Sequence, residues 1–252
     1  DIASIDAVRK QLGLDDPLYV QYGRFMVKAV QGDLGRSYSS NRDVLTTIIE
    51  TFPATAILAV SALILSSIIG IMIGVISSVR PYTFADNFSM LVALFGISFP
   101  PFALGLIMAL VFGAWLKWFP ISGYINNGMI YLVLPMLTLA LRPLAIIARL
   151  TRSSMLDVLG QDYVRTARAK GVNEWKVIIK HALRNALNPV ITTISAWLAA
   201  LLGGTFFIEY IFNWPGIGLL AINSILSLDF PMIQGTVLFT AVIFIIVNMI
   251  VD

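Results

Sequence analysis

DYVRTARAKGVNEWKVIIKHALRNALNP occupies residues 162–189 and decides how the rest of the chain reads. It is basic and amphipathic, and it lies between two apolar runs that are each long enough to cross a bilayer. A stretch this dense in charge cannot sit in lipid, because every ionised group would lose its hydration. From Arg142 to Arg184 there are nine Lys/Arg against three Asp/Glu, which leaves the region at about +6. Two readings fit that asymmetry. One is an ordinary solvated loop that follows the bias of cationic loops toward the cytoplasm. The other is a compact helical element gripped by a soluble partner.

The remainder is strongly apolar. Of 252 residues, 58% are hydrophobic and 12% charged, with a mean hydropathy of +0.86. Soluble domains carry about 25% charged residues, so the chain reads as an all-α polytopic membrane protein. The net charge of +3 arises in one region and therefore speaks of topology and lipid rather than nucleic acid. Cysteine is absent, which excludes disulfides and thiolate metal sites. The single histidine, His181, lies in the basic insert, and one imidazole with few acids near the spans gives no metal site. The sequence begins at Asp1 without a leader and stops at Asp252 directly after an apolar run, so flanking segments are expected.

Five spans are visible. Residues 1–50 hold six Lys/Arg and seven Asp/Glu, with helical periodicity in Ile5–Leu12 and Tyr19–Val30 and a turn at Gly32–Gly35. They form an expected extracytoplasmic helical segment ahead of a transmembrane domain at 51–252. Span one is Pro53–Val79, with Thr51 as the expected N-cap and Pro53 in the first turn. Span two is Phe88–Trp115. It is interrupted at Pro100-Pro101, where two missing amide donors kink a packing helix or open a break along a water-filled path. Span three is Ile130–Leu150, with Arg142 deep enough to need a partner or to snorkel. Span four is Pro189–Phe212 and span five Met232–Val251. Between them, Leu219–Phe230 reads as an interfacial or re-entrant helix. Loop charge puts 142–184 and Arg80 in the cytoplasm, and 1–50, the Lys117 loop and 209–231 outside. A crossing ahead of residue 1 would bring the total to an expected six.

Within the insert, Asp162–Lys170 is about two helical turns, ended by Gly171 in a left-handed conformation. Asn173 caps a second helix, in which Trp175, Ile178, Ile179, Ala182 and Ala186 share an apolar face suited to packing on the spans. Small side chains at Ala167 and Ala169 would let the first helix sit close inside a groove of another protein. The element is a knob on a rigid arm.

Arg165-Thr166-Ala167 followed by Gly171 resembles the EAA loop of binding-protein-dependent ABC importers, whose pattern is Glu-Ala-Ala, three residues, Gly, then Ile-x-Leu-Pro. Arg165 stands where Glu is usual, and His181-Ala182-Leu183-Arg184 replaces Ile-x-Leu-Pro. The first departure, usual in the subfamily, puts only the loop's generic salt-bridge argument in doubt. Taken in order, LGLDDPLYVQY (12–22), GDLGRSY (32–38), LTRSSMLDVLGQDYVRTARAKG (150–171), HALRNALNPVIT (181–192) and FNWPGIG (212–218) are similar to the B-type permease subunit of the dipeptide/oligopeptide/nickel importer family. The resemblance spans nearly the whole chain. It implies a type I ABC importer transmembrane fold in a bacterial or archaeal plasma membrane. It also implies four kinds of partner chain or ligand: a homologous second permease, two ABC ATPases, an extracytoplasmic substrate-binding protein, and peptide as the solute, with nickel or another small solute as the alternative. The cytoplasmic coupling loop becomes 157–187. Its expected ATPase contacts are Asp162, Tyr163, Arg165, Thr166, Ala167 and Arg168, continuing through Lys170, Gly171, Val172 and Trp175.

No Gly-Lys-Ser/Thr loop occurs, so no cofactor is expected in this chain, and ATP and magnesium belong on partner subunits. A secondary transporter needs mid-membrane carboxylates, whereas Glu50, Glu209 and Asp229 all lie near span ends. A hydrolase needs a nucleophile facing a base, and His181 is on the wrong element. A non-catalytic permease is therefore expected. Asn213, Trp214, Pro215 and Gly216 form a stiff external loop within 212–231, read either as a contact for the binding protein or as a helix-capping turn with an interfacial Trp. Ser98, Phe99, Pro100, Pro101, Met136 and Asn188 are candidates for a weakly selective path.

Overall fold

A computed structural model describes residues 15–203 and 205–251, so the expected helix at Ile5–Leu12 lies outside the described residues. The chain folds as α1 (Leu18–Val30), α2 (Val44–Val79), α3 (Phe84–Ser98), α4 (Pro101–Met108, continued as a π-turn over Ala109–Trp115) and α5 (Val133–Leu159). Next come α6 (Asp162–Ala169), α7 (Glu174–Gly203), α8 (Phe206–Ile211), α9 (Ile217–Leu226) and α10 (Phe230–Val251). Helices α2, α5 (with its preceding turn), α7 and α10 are each long and apolar enough to cross a membrane. The pair α3–α4 is bent by 106° at Pro100-Pro101 and makes a fifth crossing only if the two helices together count as one span.

Close pairs along the helices set their directions. On α2, Gly70 meets Leu144 and Ile147 of α5, and Gly74 meets Ala148 and Thr151. Numbers rise together, so α2 and α5 run parallel. Asp86 pairs with Arg152, Gly96 meets Leu141 and Ala145, and Gly105 meets Thr138. Numbers run oppositely, so α3–α4 runs antiparallel to α5. Helix α5 is central, touching α2, α3, α4 and α7, and α10 packs on α7 and α2.

The α2–α5 seam is built from small residues. A Cβ on Gly74 would lie 2.5 Å from Thr151 Cβ and 2.7 Å from the Ala148 carbonyl. The opposite face of α2 presents Ile64, Ile68, Met72 and Ile76, all exposed, as an apolar stripe. Lipid tails are as apolar as these side chains, so spans associate by close backbone approach rather than by hiding large residues. The Gly70-Ile-Met-Ile-Gly74 spacing is a small-xxx-small signal in an apolar helix, legible in the sequence itself.

Several expectations are corrected. Span one begins at Val44, capped by Asp43, whose carboxylate accepts from the Thr46 amide at 2.8 Å. Thr51 is inside the helix and its hydroxyl donates to the carbonyls of Thr47 and Ile48. Both residue types cap helices, and Pro53, read as a first-turn proline, lies well inside α2. Helix α2 therefore runs through the expected boundary at 50/51. Span four likewise starts at Glu174, with Pro189 inside it, and stops at Gly203.

Residues 31–43 are tied to the end opposite the basic insert. Asp229 accepts from the Ser37 hydroxyl, the Tyr38 amide and the Ser39 hydroxyl. Burial pushes its carboxyl up, but these donors outweigh burial and hold it below the ordinary value. Leu34, Val44, Ile48, Ile217 and Met232 cluster alongside, and Phe52 meets Phe239 edge to face at 5.4 Å.

Candidate functional site

The basic arm is a short helix clamped at both ends. Helix α6 ends in a two-bond glycine cap: the Gly171 amide donates to the Arg168 carbonyl at 2.9 Å and the Val172 amide to the Ala167 carbonyl at 3.2 Å. That pattern requires φ > 0 at Gly171, which has φ +75 with open space around it. The glycine serves the backbone conformation and not a close contact. Asn173 caps α7 through the Trp175 amide at 2.9 Å. Across the bend, Arg168 makes a forked ion pair with Glu174, at 2.7 Å for the closest atoms. At the other end of α6, Asn185 donates to the Tyr163 hydroxyl at 2.7 Å.

Val164 and Ala167 are buried against Val177, with Val172 half-buried beside them. Ala167 and Val172, expected at the contact face, therefore point inward, and Ala167 seats α6 on α7. Asp162, Tyr163, Arg165, Thr166, Arg168, Lys170, Gly171 and Trp175 are exposed. The apolar face expected on the second helix is also revised. Residues 177–183 form a π-turn, which shifts the register, so Val177, Ile178, Ala182 and Ala186 are buried while Trp175 (68%) and Ile179 (49%) face outward.

A buried carboxylate organises 212–218. Glu209 is fully buried. One oxygen accepts from the Thr55 and Thr205 hydroxyls at 2.7 and 2.6 Å, and the other from the Gly218 and Leu219 amides at 2.6 and 3.2 Å. The carboxyl group thus sits on the N-terminus of α9, whose unpaired amides donate to it, while burial pushes its pKa up. A Cβ on Gly216 would lie 2.5 Å from the Glu209 carboxylate, and one on Gly218 would lie 2.5 Å from Phe206 Cα. The Gly-Ile-Gly spacing exists so that backbone can close on the carboxylate. Trp214 is buried, donates to the Ala54 carbonyl at 2.8 Å and meets Tyr124 edge to face at 4.8 Å. Its indole is a wedge beneath the turn and offers no outer surface, and Gly216 is buried too. Asn213 and Pro215 remain exposed. An acid ahead of Pro-Gly-x-Gly at a helix start was the available signal for this clamp.

At the break in α3–α4 lies a cavity of about 340 Å³, with Phe99, Pro100, Pro101, Arg142, Trp197 and Ala200 in its wall. Phe99, Pro100 and Pro101, three of the path candidates, meet there. Ser98 is exposed, but its hydroxyl donates to the Leu94 carbonyl. Met136 packs against the central core. Asn188 lies exposed on α7, away from this cavity.

Residues 68–252 match the family model described as binding-protein-dependent transport system inner membrane component, and residues 1–59 match the model of its N-terminal segment. The glutathione transport system permease protein GsiC of Escherichia coli is 44% identical over 252 residues, covering 100% of this chain and 82% of that protein. The same protein of Shigella dysenteriae is 43% identical with the same coverage. Among solved structures, the inward-facing MetNI methionine ABC transporter aligns with a TM-score of 0.62 at 17% identity, covering 82% of this chain and 95% of that one. An amino acid ABC transporter solved with histidines aligns with a TM-score of 0.62 at 12% identity over 83% and 96%. At these identities the structural likeness carries the fold alone, that of the transmembrane subunits of type I ABC importers.

Proposed function

This chain belongs to the family of binding-protein-dependent transport system inner membrane components, and from that premise we propose that it forms, with a homologous second permease, the path by which an ATP-driven importer takes up peptides. Two ATPases carry ATP and magnesium and drive the pair, and an extracytoplasmic protein delivers the solute. The glutathione transport named for relatives such as GsiC supports small peptide-like solutes over nickel. The basic end is cytoplasmic in this reading, because cationic loops are retained there.

The observation that carries the proposal is mechanical. Helix α6 is locked to α7 by Arg168–Glu174, Tyr163–Asn185 and buried Val164, and α7 continues as one helix, through the π-turn at 177–183, from Glu174 to Gly203. A displacement imposed on the exposed face of α6 is therefore delivered to a membrane-crossing helix rather than absorbed by a loop. Closure of the ATPase pair would move α6, tilt α7 against α5 and open the path outward.

The test is uptake by the reconstituted importer with Gly171 replaced. Gly171→Val forces a β-branched residue into φ +75, a strain of about 1–2 kcal/mol, while Gly171→Asn keeps that conformation accessible. Uptake per ATP hydrolysed is expected to fall in the Val variant and to survive in the Asn variant, with both inserted normally. Unchanged coupling in Gly171→Val would remove the arm from the mechanism.

A further inference from the structure

Arg142 sits near the middle of α5, ten residues before Arg152, roughly 15 Å along the helix axis. A guanidinium at that depth is costly without a counter-charge. Among the described residues, none of the ion pairs involves Arg142. The buried acids are already committed elsewhere: Asp86 to Arg152, Glu209 to four donors, and Asp229 to the 37–39 turn. Arg142 is exposed instead on the wall of the cavity at the broken span, beside Phe99, Phe102 and Trp197.

Prolines also leave backbone carbonyls of residues in the same wall without their usual partners. Pro100 and Pro143 have no amide hydrogen, so the carbonyls four residues earlier, Gly96 and Leu139, lose their usual helical donors. Both residues line this cavity. Two helical turns along the same face of α5, Arg149 lines a neighbouring recess that also includes Ile97, whose carbonyl loses its donor to Pro101. Each recess thus sets one cation beside a lining residue whose carbonyl lacks its usual helical donor, inside largely apolar walls. That set complements a carboxylate adjoining peptide N–H groups and leaves side-chain identity largely unread.

We propose that Arg142 is a recognition point for the carboxylate of the passing solute, with Arg149 receiving the same group two turns nearer the basic end. This inference rests on the transport reading above and names the chemical group that this subunit reads: a free carboxylate on a peptide-like acid.

The native chain lacks cysteine, so Ala200→Cys places one thiol on the cavity wall. In the assembled importer, with modification read by mass on this chain, an anionic sulfonate thiosulfonate reagent is expected to react at least about fivefold faster than its trimethylammonium counterpart, relative to a free thiol. Arg142→Gln should erase that preference and Arg142→Lys should keep it. A preference that persists in Arg142→Gln, or a thiol that neither reagent reaches, overturns the proposal. The second arm compares ATP-driven uptake of a peptide bearing a free C-terminal carboxylate with uptake of its amide. Arg142→Gln should remove the discrimination between them. An equal loss of both, with discrimination intact, would mean that Arg142 holds the second permease and would also overturn the proposal. If the reagent arm behaves as expected and the wild-type importer takes up neither peptide, the peptide reading falls and the anion site stands.

Discussion

Glu209 shows how a single side chain sets a local fold. Four donors converge on its carboxylate, two of them amides in the first turn of α9. Glu209→Gln would turn an NH2 group toward at least one of those donors, leaving buried polar atoms unpaired at a cost of about 2–4 kcal/mol. A lower thermal-unfolding midpoint in detergent is the expected result. Gly218→Ala should act in the same direction, because its Cβ would meet the Phe206 backbone at 2.5 Å. Asp229 gives a pH-dependent counterpart. Its carboxyl is held below the ordinary carboxylate range, so the tether it provides is complete above that range and is lost as pH falls through the depressed value. A spin label at Tyr38→Cys should be immobile at neutral pH and gain mobility only in strong acid, whereas adding Asp229→Asn should free it at pH 7.

At the scale of elements, the α2–α5 seam and the α3–α5 ion pair fix the bundle. Gly74→Leu would drive a branched side chain into Thr151 and the Ala148 carbonyl. A loss of about 3 kcal/mol or more is expected, read as reduced folded yield and a lowered unfolding midpoint. Ile68→Leu, on the exposed apolar stripe, should leave both unchanged. Asp86 is 1% exposed and engages Arg152 through two bonds of 2.6 and 2.7 Å. Asp86→Asn would leave a guanidinium poorly compensated, costing about 3 kcal/mol, and the start of α3 should then come loose from α5. Chemical cross-linking between cysteines at Asn87 and Ser153 would report that separation.

For the whole molecule, the arm and the 31–43 segment lie at opposite ends of the bundle, since α2 and α5 run parallel and the arm follows α5. Cysteine labelling in cells tests which end faces which way. Ser40→Cys and Ser122→Cys are expected to react with an impermeant reagent from outside, and Lys170→Cys only after permeabilisation. The reverse pattern would invert the topology and place the arm beyond the reach of an ATPase.

The sequence alone determined that the chain is helical and membrane-crossing, where the basic arm lies, and that Gly171 and Asn173 shape its bend. Those properties are local: hydropathy, capping chemistry and a residue able to adopt positive φ are read from a few neighbouring letters. It could not say which of two plausible caps, Asp43 or Thr51, starts α2, because either satisfies the same rule. It also could not place Trp175 outward, because the π-turn that rotates it is decided by how Val177, Ile178 and Ala182 pack. Trp214 reads as a surface aromatic until Ala54, Tyr124 and the Glu209 clamp are brought around it from elsewhere in the chain. Arg142 reads only as a charge at the wrong depth. Its meaning arises in three dimensions, where the Pro100-Pro101 break and α7 fold around it to form a cavity and every buried acid proves to be taken. Long-range pairing decides such matters, because the free energy of a buried charge or ring depends on what surrounds it and not on its neighbours in sequence.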